Sequence, residues 1–134
     1  LAVYYASKKS KYTNLIKHKL NFVELLQDFG FNLISCGGLE SNFKLREQLT
    51  DGANSFVLEP GKVIMYNCND YTILELEKNG YKHISSHSLY KDPLTFEKIL
   101  RSDSKVVISI DGSELVKGRG GPRCMTLPIK RGLV

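Results

Sequence analysis

The spacing of hydrophobic and polar positions changes several times along the chain. In residues 21–30, apolar side chains recur every three or four positions, and Gly30 stands where a helix often ends in a left-handed residue. This spacing predicts a short amphipathic helix. Residues 32–36 then predict a strand closed by two glycines, and residues 41–49 predict a polar connection with room for a helical turn.

The middle of the chain predicts a β-hairpin followed by a helix and another strand. Two apolar runs, residues 55–59 and 62–66, are joined by Pro60-Gly61, a dipeptide typical of tight turns. Asn69-Asp70 can cap a helix over the apolar positions that follow. Residues 81–85 complete the block as a strand.

A second round of helix and strand follows. Within residues 89–101, apolar side chains can line one face of a helix that begins behind Pro93, and residues 105–110 are the strongest strand prediction in the chain. A glycine-rich stretch at residues 117–123 precedes a predicted last strand at residues 124–129. Strands mixed with helices of about ten residues indicate an α/β or α+β domain, not a bundle or a sandwich.

Composition narrows the class of protein. With 134 residues, 42% hydrophobic and 25% charged, the chain resembles one soluble globular domain, and we expect residues 1–134 to form a single unit. It has no run of about 18 apolar residues and no signal peptide pattern, so the expectation is a cytoplasmic protein without membrane contact. The odd count of three cysteines, widely spaced, predicts neither a disulfide framework nor a metal site.

The net charge of +5 raises the possibility of nucleic acid binding. Acidic residues are interleaved through most of the chain, which disfavours that function. The basic residues that cluster near the N-terminus are Lys8, Lys9, Lys11, Lys17 and Lys19. The chain opens on Leu-Ala-Val-Tyr-Tyr instead of Met, which resembles the middle of a strand, and we therefore expect a fragment or a processed chain.

The glycine-rich stretch carries the candidate chemistry. Gly118, Gly120 and Gly121 give the backbone conformational freedom just before Cys124, and Arg119 and Arg123 place positive charge beside the thiol. Nearby guanidinium groups favour the thiolate, which is the reactive form of cysteine. A nucleophilic role for Cys124 is one hypothesis from these residues.

Other interpretations of the same residues stay open. The glycines could form a phosphate-binding loop, although no Lys-Ser or Lys-Thr follows the last glycine and no dinucleotide fingerprint opens a helix. They could form a flexible linker, and Cys124 could be a buried structural residue.

The run from Gly112 to Pro128, Gly-Ser-Glu-Leu-Val-Lys-Gly-Arg-Gly-Gly-Pro-Arg-Cys-Met-Thr-Leu-Pro, resembles the cysteine signature near the C-terminus of bacterial arginine deiminases. Lys117 departs from it, since the family usually has Arg there. Further landmarks of the same family occur upstream in order, from about residue 20: Cys36-Gly-Gly, Arg46-Glu-Gln, Asp51-Gly-Ala-Asn54, Pro60-Gly-Lys-Val and residues 66–72.

The resemblance implies an α/β fold, the C-terminal portion of a pentein, which is a propeller of five strand-strand-helix-strand units with mixed sheets. Relative to shorter family members, residues 86–104 look like an insertion, to which we assign no function. The implied activity is that of a hydrolase acting on a linear amidine, which converts L-arginine to L-citrulline and ammonia. The resemblance implies a covalent S-alkyl-thiouronium intermediate and neither a cofactor nor a metal.

The resemblance also implies roles for particular residues. Cys124 corresponds to the nucleophile, Arg119 to a loop arginine near the carboxylate of the substrate or at the entrance, and Asn54 to a position close to the active site. Arg119 could instead be a surface charge, and Asn54 a turn-forming residue. Arg123 could instead hold the loop in place. The family's His-x-Asp motif and guanidinium-binding carboxylates lie in earlier units, and none of the three histidines here begins such a motif.

We therefore expect this chain to supply the nucleophile and to be inactive when isolated. Its implied partners are L-arginine and the remaining N-terminal portion of the enzyme, with a homo-oligomer forming when the enzyme is complete. Two alternatives stay open: a non-catalytic pentein-like remnant that binds a ligand or a protein, and another guanidino-modifying enzyme such as an amidinotransferase.

Overall fold

The computed structural model describes residues 3–6, 15–18 and 21–130, which fall into two compact units divided after Leu33. In the first unit, strands β1 (Val3–Ala6) and β2 (Leu15–His18) pair in antiparallel register. Helix α1 follows at Phe22–Asp28. The strand-like N-terminal segment is thus confirmed for β1. Of the N-terminal basic residues, Lys17 lies in β2 and the others lie outside the described residues.

The residues at its two ends determine where helix α1 begins and ends. The Asn21 side chain accepts a hydrogen bond from the Val23 N–H at 3.2 Å, and the Asn21 N–H donates to the Glu24 carboxylate at 3.2 Å. This reciprocal cap satisfies donors that a helix leaves free at its first turn. Gly30, with φ of +80°, takes the left-handed conformation after the helix. The predicted helix is therefore confirmed.

The second unit is built on a mixed sheet. Its strands are β3 (Phe56–Glu59), β4 (Lys62–Tyr66), β5 (Lys82–Ser85) and β6 (Val106–Ile110), in the spatial order β3-β4-β6-β5. The hairpin strands β3 and β4 are antiparallel, whereas β6 runs parallel to both β4 and β5. The hairpin, the β5 strand and the central β6 strand are confirmed where the sequence predicted them.

Five helical segments complete the described second unit. They are α2 (Ser41–Leu49), α3 (Asp70–Lys78), α4 (Ser86–Lys91), α5 (Pro93–Leu100) and a 3-10 turn at Leu115–Gly118. None of the helices in the described part of the chain is long and apolar enough to cross a membrane. The α/β class is confirmed. The propeller organisation and the assignment of residues 1–134 to one domain stay predictions.

The core lies on both faces of the central strand. Val106 and Ile108 of β6 pack with Leu89 and Ile99 on one face, while Val107 packs with other apolar side chains on the opposite face. Successive residues of a strand point to opposite faces, so a strand covered on both sides needs an uninterrupted apolar run. Residues 86–104, which resemble an insertion, thus provide the helices that cover one face of the sheet.

The helix predicted behind Pro93 is confirmed as α5, and the shorter helix α4 stands before it, because Asp92 adopts φ of −137° and ψ of 82° ahead of the proline. Three other predictions were wrong. Residues 32–36 and 124–129 form no strand. Residues 41–49, predicted as a polar connection, form the nine-residue helix α2.

A buried carboxylate explains why α2 forms. Glu47 of α2 is fully buried, and its carboxylate accepts hydrogen bonds from the N–H groups of Tyr71 and Thr72, each at 2.8 Å, and from the Thr72 hydroxyl at 2.6 Å. Both N–H groups belong to the first turn of α3, where donors have no partner within the helix and the dipole favours a negative charge. Glu47 therefore caps α3 from a neighbouring helix, and Arg46 pairs with the same carboxylate at 3.0 Å.

The segment after α2 is fixed to the same helix terminus. The Thr50 hydroxyl donates to the Asn69 side-chain oxygen at 2.6 Å, and the Asn69 amide donates to the Thr50 carbonyl at 3.0 Å. The Gly52 N–H donates to the Glu47 carbonyl at 2.7 Å. A Cβ on Gly52 would lie 2.8 Å from both the Cys36 sulfur and the Glu47 carbonyl, so the backbone can pass here only as glycine.

Replacing Glu47 with Gln should lower the free energy of unfolding by about 1–3 kcal/mol, because an amide nitrogen would then face a backbone donor of α3. Urea denaturation followed by circular dichroism measures this change. Glu97→Gln is the matched control, since the Glu97 side chain is 56% exposed and pairs with Arg101 at the surface. Equal unfolding midpoints for Glu47→Gln and the parent chain would contradict a capping role.

Candidate functional site

Cys124 lies on an irregular turn, not on a strand. The N–H groups of Cys124 and Met125 both donate to the Gly121 carbonyl, at 3.0 Å and 3.3 Å. Cys124 is exposed, whereas Gly121 and Pro122 just before it are buried. The turn therefore presents the thiol to solvent from a backbone that is itself packed.

Asn54 contacts the Cys124 thiol although 70 residues separate them in sequence. The Asn54 Nδ2 atom donates to Cys124 Sγ at 2.8 Å. Asn54 follows the tight turn after α2, in which its N–H donates to the Asp51 carbonyl at 2.9 Å. Asp51 adopts φ of +59°, a left-handed conformation that is uncommon for a residue with a side chain. An N–H donor directed at sulfur stabilises a thiolate.

The close packing of residues 112–125, the cysteine segment, depends on two glycines. A Cβ on Gly121 would lie 2.4–2.7 Å from atoms of the Asn54 side chain. A Cβ on Gly112 would lie 2.0–2.4 Å from the Tyr66 ring. These distances are shorter than van der Waals contact, so any other residue at either position would displace the side chain beneath it. Gly118, in contrast, has open space around it.

Tyr66 lies at the end of β4 beneath the cysteine segment. Its hydroxyl donates to the Gly120 carbonyl at 2.8 Å and is 3.7 Å from the Met125 sulfur. The side chain is fully buried. Burial raises the pKa of Tyr66, and the nearby Asp51, Cys124 and Cys68 side chains raise it further. At neutral pH the phenol therefore keeps its proton and can donate this hydrogen bond.

A recess of about 600 Å³ opens beside the thiol. Its lining residues are Gln48, Asp51, Ala53, Asn54, Arg123 and Cys124. It thus contains a carboxylate, a guanidinium group and two amide side chains next to the sulfur. Asp51 Oδ2 and Asn54 Oδ1 are buried there without a hydrogen-bond partner among the described residues.

The structure brings together some of the predicted site residues. Cys124, Asn54 and Arg123 line one recess, whereas Arg119 does not line it. Arg119 is exposed and follows the 3-10 turn with φ of +61°. Sequence reasoning missed Tyr66 and Gln48. Tyr66 appeared in the sequence only as the first residue of a family landmark, residues 66–72, at the end of an apolar strand.

Cys36, Cys68, His83 and His87 do not line this recess. Cys36 and Cys68 are half-buried, and burial is the main cause that raises the pKa of each thiol. His83 shares a hydrogen bond of 2.9 Å with the Ser109 hydroxyl, and His87 is exposed at the start of α4. Within the part of the chain that the structure describes, no three His, Cys, Asp or Glu side chains converge as a metal site would require.

Comparison with known proteins places the sequence among arginine deiminases. A family model described as "Arginine deiminase" matches residues 4–131. The arginine deiminase of Streptococcus pyogenes serotype M5 (strain Manfredo) is 36% identical over 135 residues, which covers 98% of this chain and 27% of the relative. That of Streptococcus equi subsp. zooepidemicus (strain MGCS10565) is 35% identical with the same coverage. The chain therefore spans about a quarter of the length of these relatives.

Replacing Gly121 with Ala should lower the free energy of unfolding by about 1–3 kcal/mol, because the new methyl group must displace the Asn54 side chain. Thermal and urea denaturation measure the loss. Gly118→Ala, three residues away in open space, should change it by less than about 0.5 kcal/mol. Similar losses for the two variants would show that contact with Asn54 is not what requires glycine at position 121.

Proposed function

The chain belongs to the arginine deiminase family, and from this we propose that it supplies the nucleophile and part of the substrate pocket of an arginine deiminase. The observation that carries the proposal is the hydrogen bond from Asn54 to Cys124 Sγ, 2.8 Å long, at the edge of an open recess. A thiol with a directed donor and access to solvent is arranged for attack on a small molecule.

In the proposed reaction, the Cys124 thiolate attacks the guanidinium carbon of L-arginine. The carbon–nitrogen bond to a terminal amino group breaks, and that group takes up a proton and leaves as ammonia. The oxygen of a water molecule then attacks the S-alkyl-thiouronium carbon, and the two protons of the water pass to the general base and to solvent. The carbon–sulfur bond breaks, and L-citrulline is released with the thiolate restored. Two steps of moderate difficulty replace direct hydrolysis of a resonance-stabilised cation.

Asn54 is proposed to act on the sulfur and on the substrate side of the recess. Its Nδ2 atom already contacts Cys124 Sγ, so the amide can hold the thiolate in the direction of attack. The Oδ1 atom is buried and has no hydrogen-bond partner among the described residues, so its acceptor capacity is unused. The carbonyl oxygen is an acceptor, which suits a guanidinium N–H donor.

Arg119 is proposed to bind the carboxylate of the substrate. Arg119 is exposed, and its left-handed backbone conformation ends the 3-10 turn and changes the direction of the chain there. A guanidinium group pairs with a carboxylate through two parallel hydrogen bonds, which would fix the far end of L-arginine. Arg123 lines the recess and supplies additional positive charge there.

Other groups that the reaction needs are proposed to lie outside these 134 residues. A general base and carboxylates that bind the guanidinium group would come from the N-terminal portion of the enzyme, since neither His83 nor His87 lines the recess. The complete enzyme is proposed to be cytoplasmic and to form a homo-oligomer. On this proposal the isolated chain produces no citrulline.

Replacing Cys124 with Ser or Ala in the complete polypeptide that carries this sequence should reduce citrulline formation by at least about 10,000-fold, because no nucleophile remains. A colorimetric citrulline assay measures the rate, and circular dichroism checks the fold. Cys68→Ser is the control, because that half-buried thiol does not line the recess. Retained turnover in both Cys124 variants would sink the nucleophile assignment, and citrulline production by the isolated chain would refute the need for outside groups.

Replacing Arg119 with Ala should raise the KM for L-arginine by about 10- to 100-fold, the loss expected for one charge-assisted pair with a carboxylate. Initial rates over a range of arginine concentrations give the value. Arg101→Ala is the control. It removes an exposed arginine at the C-terminal end of α5 that pairs with Glu97, and it should leave KM unchanged. If Arg119→Ala binds arginine as tightly as the parent enzyme does, the carboxylate has another partner.

A further inference from the structure

A hydrogen bond from the Tyr66 hydroxyl joins the cysteine segment to the sheet. Tyr66 is the last residue of β4, and in the parallel ladder it stands opposite Ile110, the last residue of β6. The next residue continues this attachment, because the Asn67 N–H donates to the Ile110 carbonyl at 2.9 Å. The Tyr66 backbone is therefore fixed by the central part of the sheet.

From this fixed position the Tyr66 side chain reaches the segment that carries the nucleophile. Its hydroxyl donates to the Gly120 carbonyl at 2.8 Å, and Gly120 precedes Cys124 by only four residues. Gly112 lies against the ring so closely that a Cβ there would overlap it. Tyr66 thus contacts the segment at two points, Gly112 and Gly120.

We propose that Tyr66 is a positioning residue of the site: its hydroxyl holds the Gly120 carbonyl so that Cys124 stays within hydrogen-bond distance of Asn54. The importance of this residue for turnover rests on the proposed function. The structural part of the proposal does not, because it concerns only the order of residues 118–125.

The part of the segment around Cys124 has no regular secondary structure to restrain it. Residues 119–130 belong to no helix or strand, so no ladder of backbone hydrogen bonds fixes them. Three glycines between residues 118 and 121 increase the number of conformations that such a segment can adopt. A buried hydrogen bond with a fixed donor removes part of this freedom, and loss of it leaves a carbonyl without its partner.

The variant Tyr66→Phe tests the proposal with little change in shape. It keeps the ring that packs on Gly112 and removes only the hydroxyl. We expect amide hydrogen exchange at Cys124 and Met125, measured by NMR or mass spectrometry on this chain, to become about tenfold faster, the factor for a loss near 1.4 kcal/mol. Exchange in β6 should not change. Tyr90→Phe is the control, because Tyr90 is 87% exposed.

A second measurement tests the catalytic consequence in the complete polypeptide. Tyr66→Phe should lower kcat for citrulline formation by about 10- to 100-fold while KM changes less than about threefold, since a displaced nucleophile slows attack more than it weakens binding. A purely structural role would instead lower the unfolding midpoint and leave kcat per folded molecule unchanged.

The outcomes separate the two proposals. Unchanged exchange at Cys124 and Met125 in Tyr66→Phe would overturn the positioning role, whatever the activity. Faster exchange with an unchanged kcat would overturn its catalytic importance. A parent enzyme that forms no citrulline would overturn the proposed function alone. If the variant is less stable, both measurements are made at a temperature at which β6 stays as protected as in the parent.

Discussion

The second unit depends on a carboxylate buried at a helix terminus. Glu47 accepts two backbone N–H groups and one hydroxyl of α3, so the charge is compensated by fixed donors and by the helix dipole. An ionised side chain without such partners could not remain fully buried, because the desolvation cost would exceed any gain from packing. The positions of α2 and α3 relative to each other follow from this one requirement.

The effect of that constraint extends along the backbone to the candidate site. The Glu47 carbonyl accepts from Gly52, and two residues later Asn54 reaches the Cys124 sulfur. From the other side, β4 ends in Tyr66, which holds the Gly120 carbonyl. The turn after α2 thus holds the cysteine segment at Cys124, and the end of β4 holds it at Gly120. Both contacts fall in the part of the segment that belongs to no helix or strand.

The sequence predicted the elements whose signals are local. The Pro60-Gly61 hairpin, α3 and the apolar strand β6 were found because turn residues and side-chain spacing determine them directly. The helix α2 was missed, since its stability comes from the contact between Glu47 and a helix about 25 residues away, as shown by the bond to Thr72. No periodicity within residues 41–49 reveals such a contact.

The wrong strand at residues 124–129 has a similar cause. The residues have strand-forming side chains, but a strand also needs a neighbour with free backbone groups, and this segment pairs with none of the described strands. Residues 123–130 are all exposed, so no sheet face is available to them. The resemblance to the family placed Asn54 close to the site, but spacing alone could not relate it to Cys124 across 70 residues.

Side chains of both charges line the recess, which supports L-arginine as the proposed substrate. Arg123 and Asp51 both line it, so positive and negative groups are available within one opening of about 600 Å³. L-arginine carries a guanidinium cation at one end and both an ammonium group and a carboxylate at the other, so a recess of single charge would repel at least one of these groups. The thiol lies on the same lining as both charges and receives a hydrogen bond from Asn54. Mixed charge at the recess and a directed donor at the sulfur therefore support the same proposal from independent features of the chain.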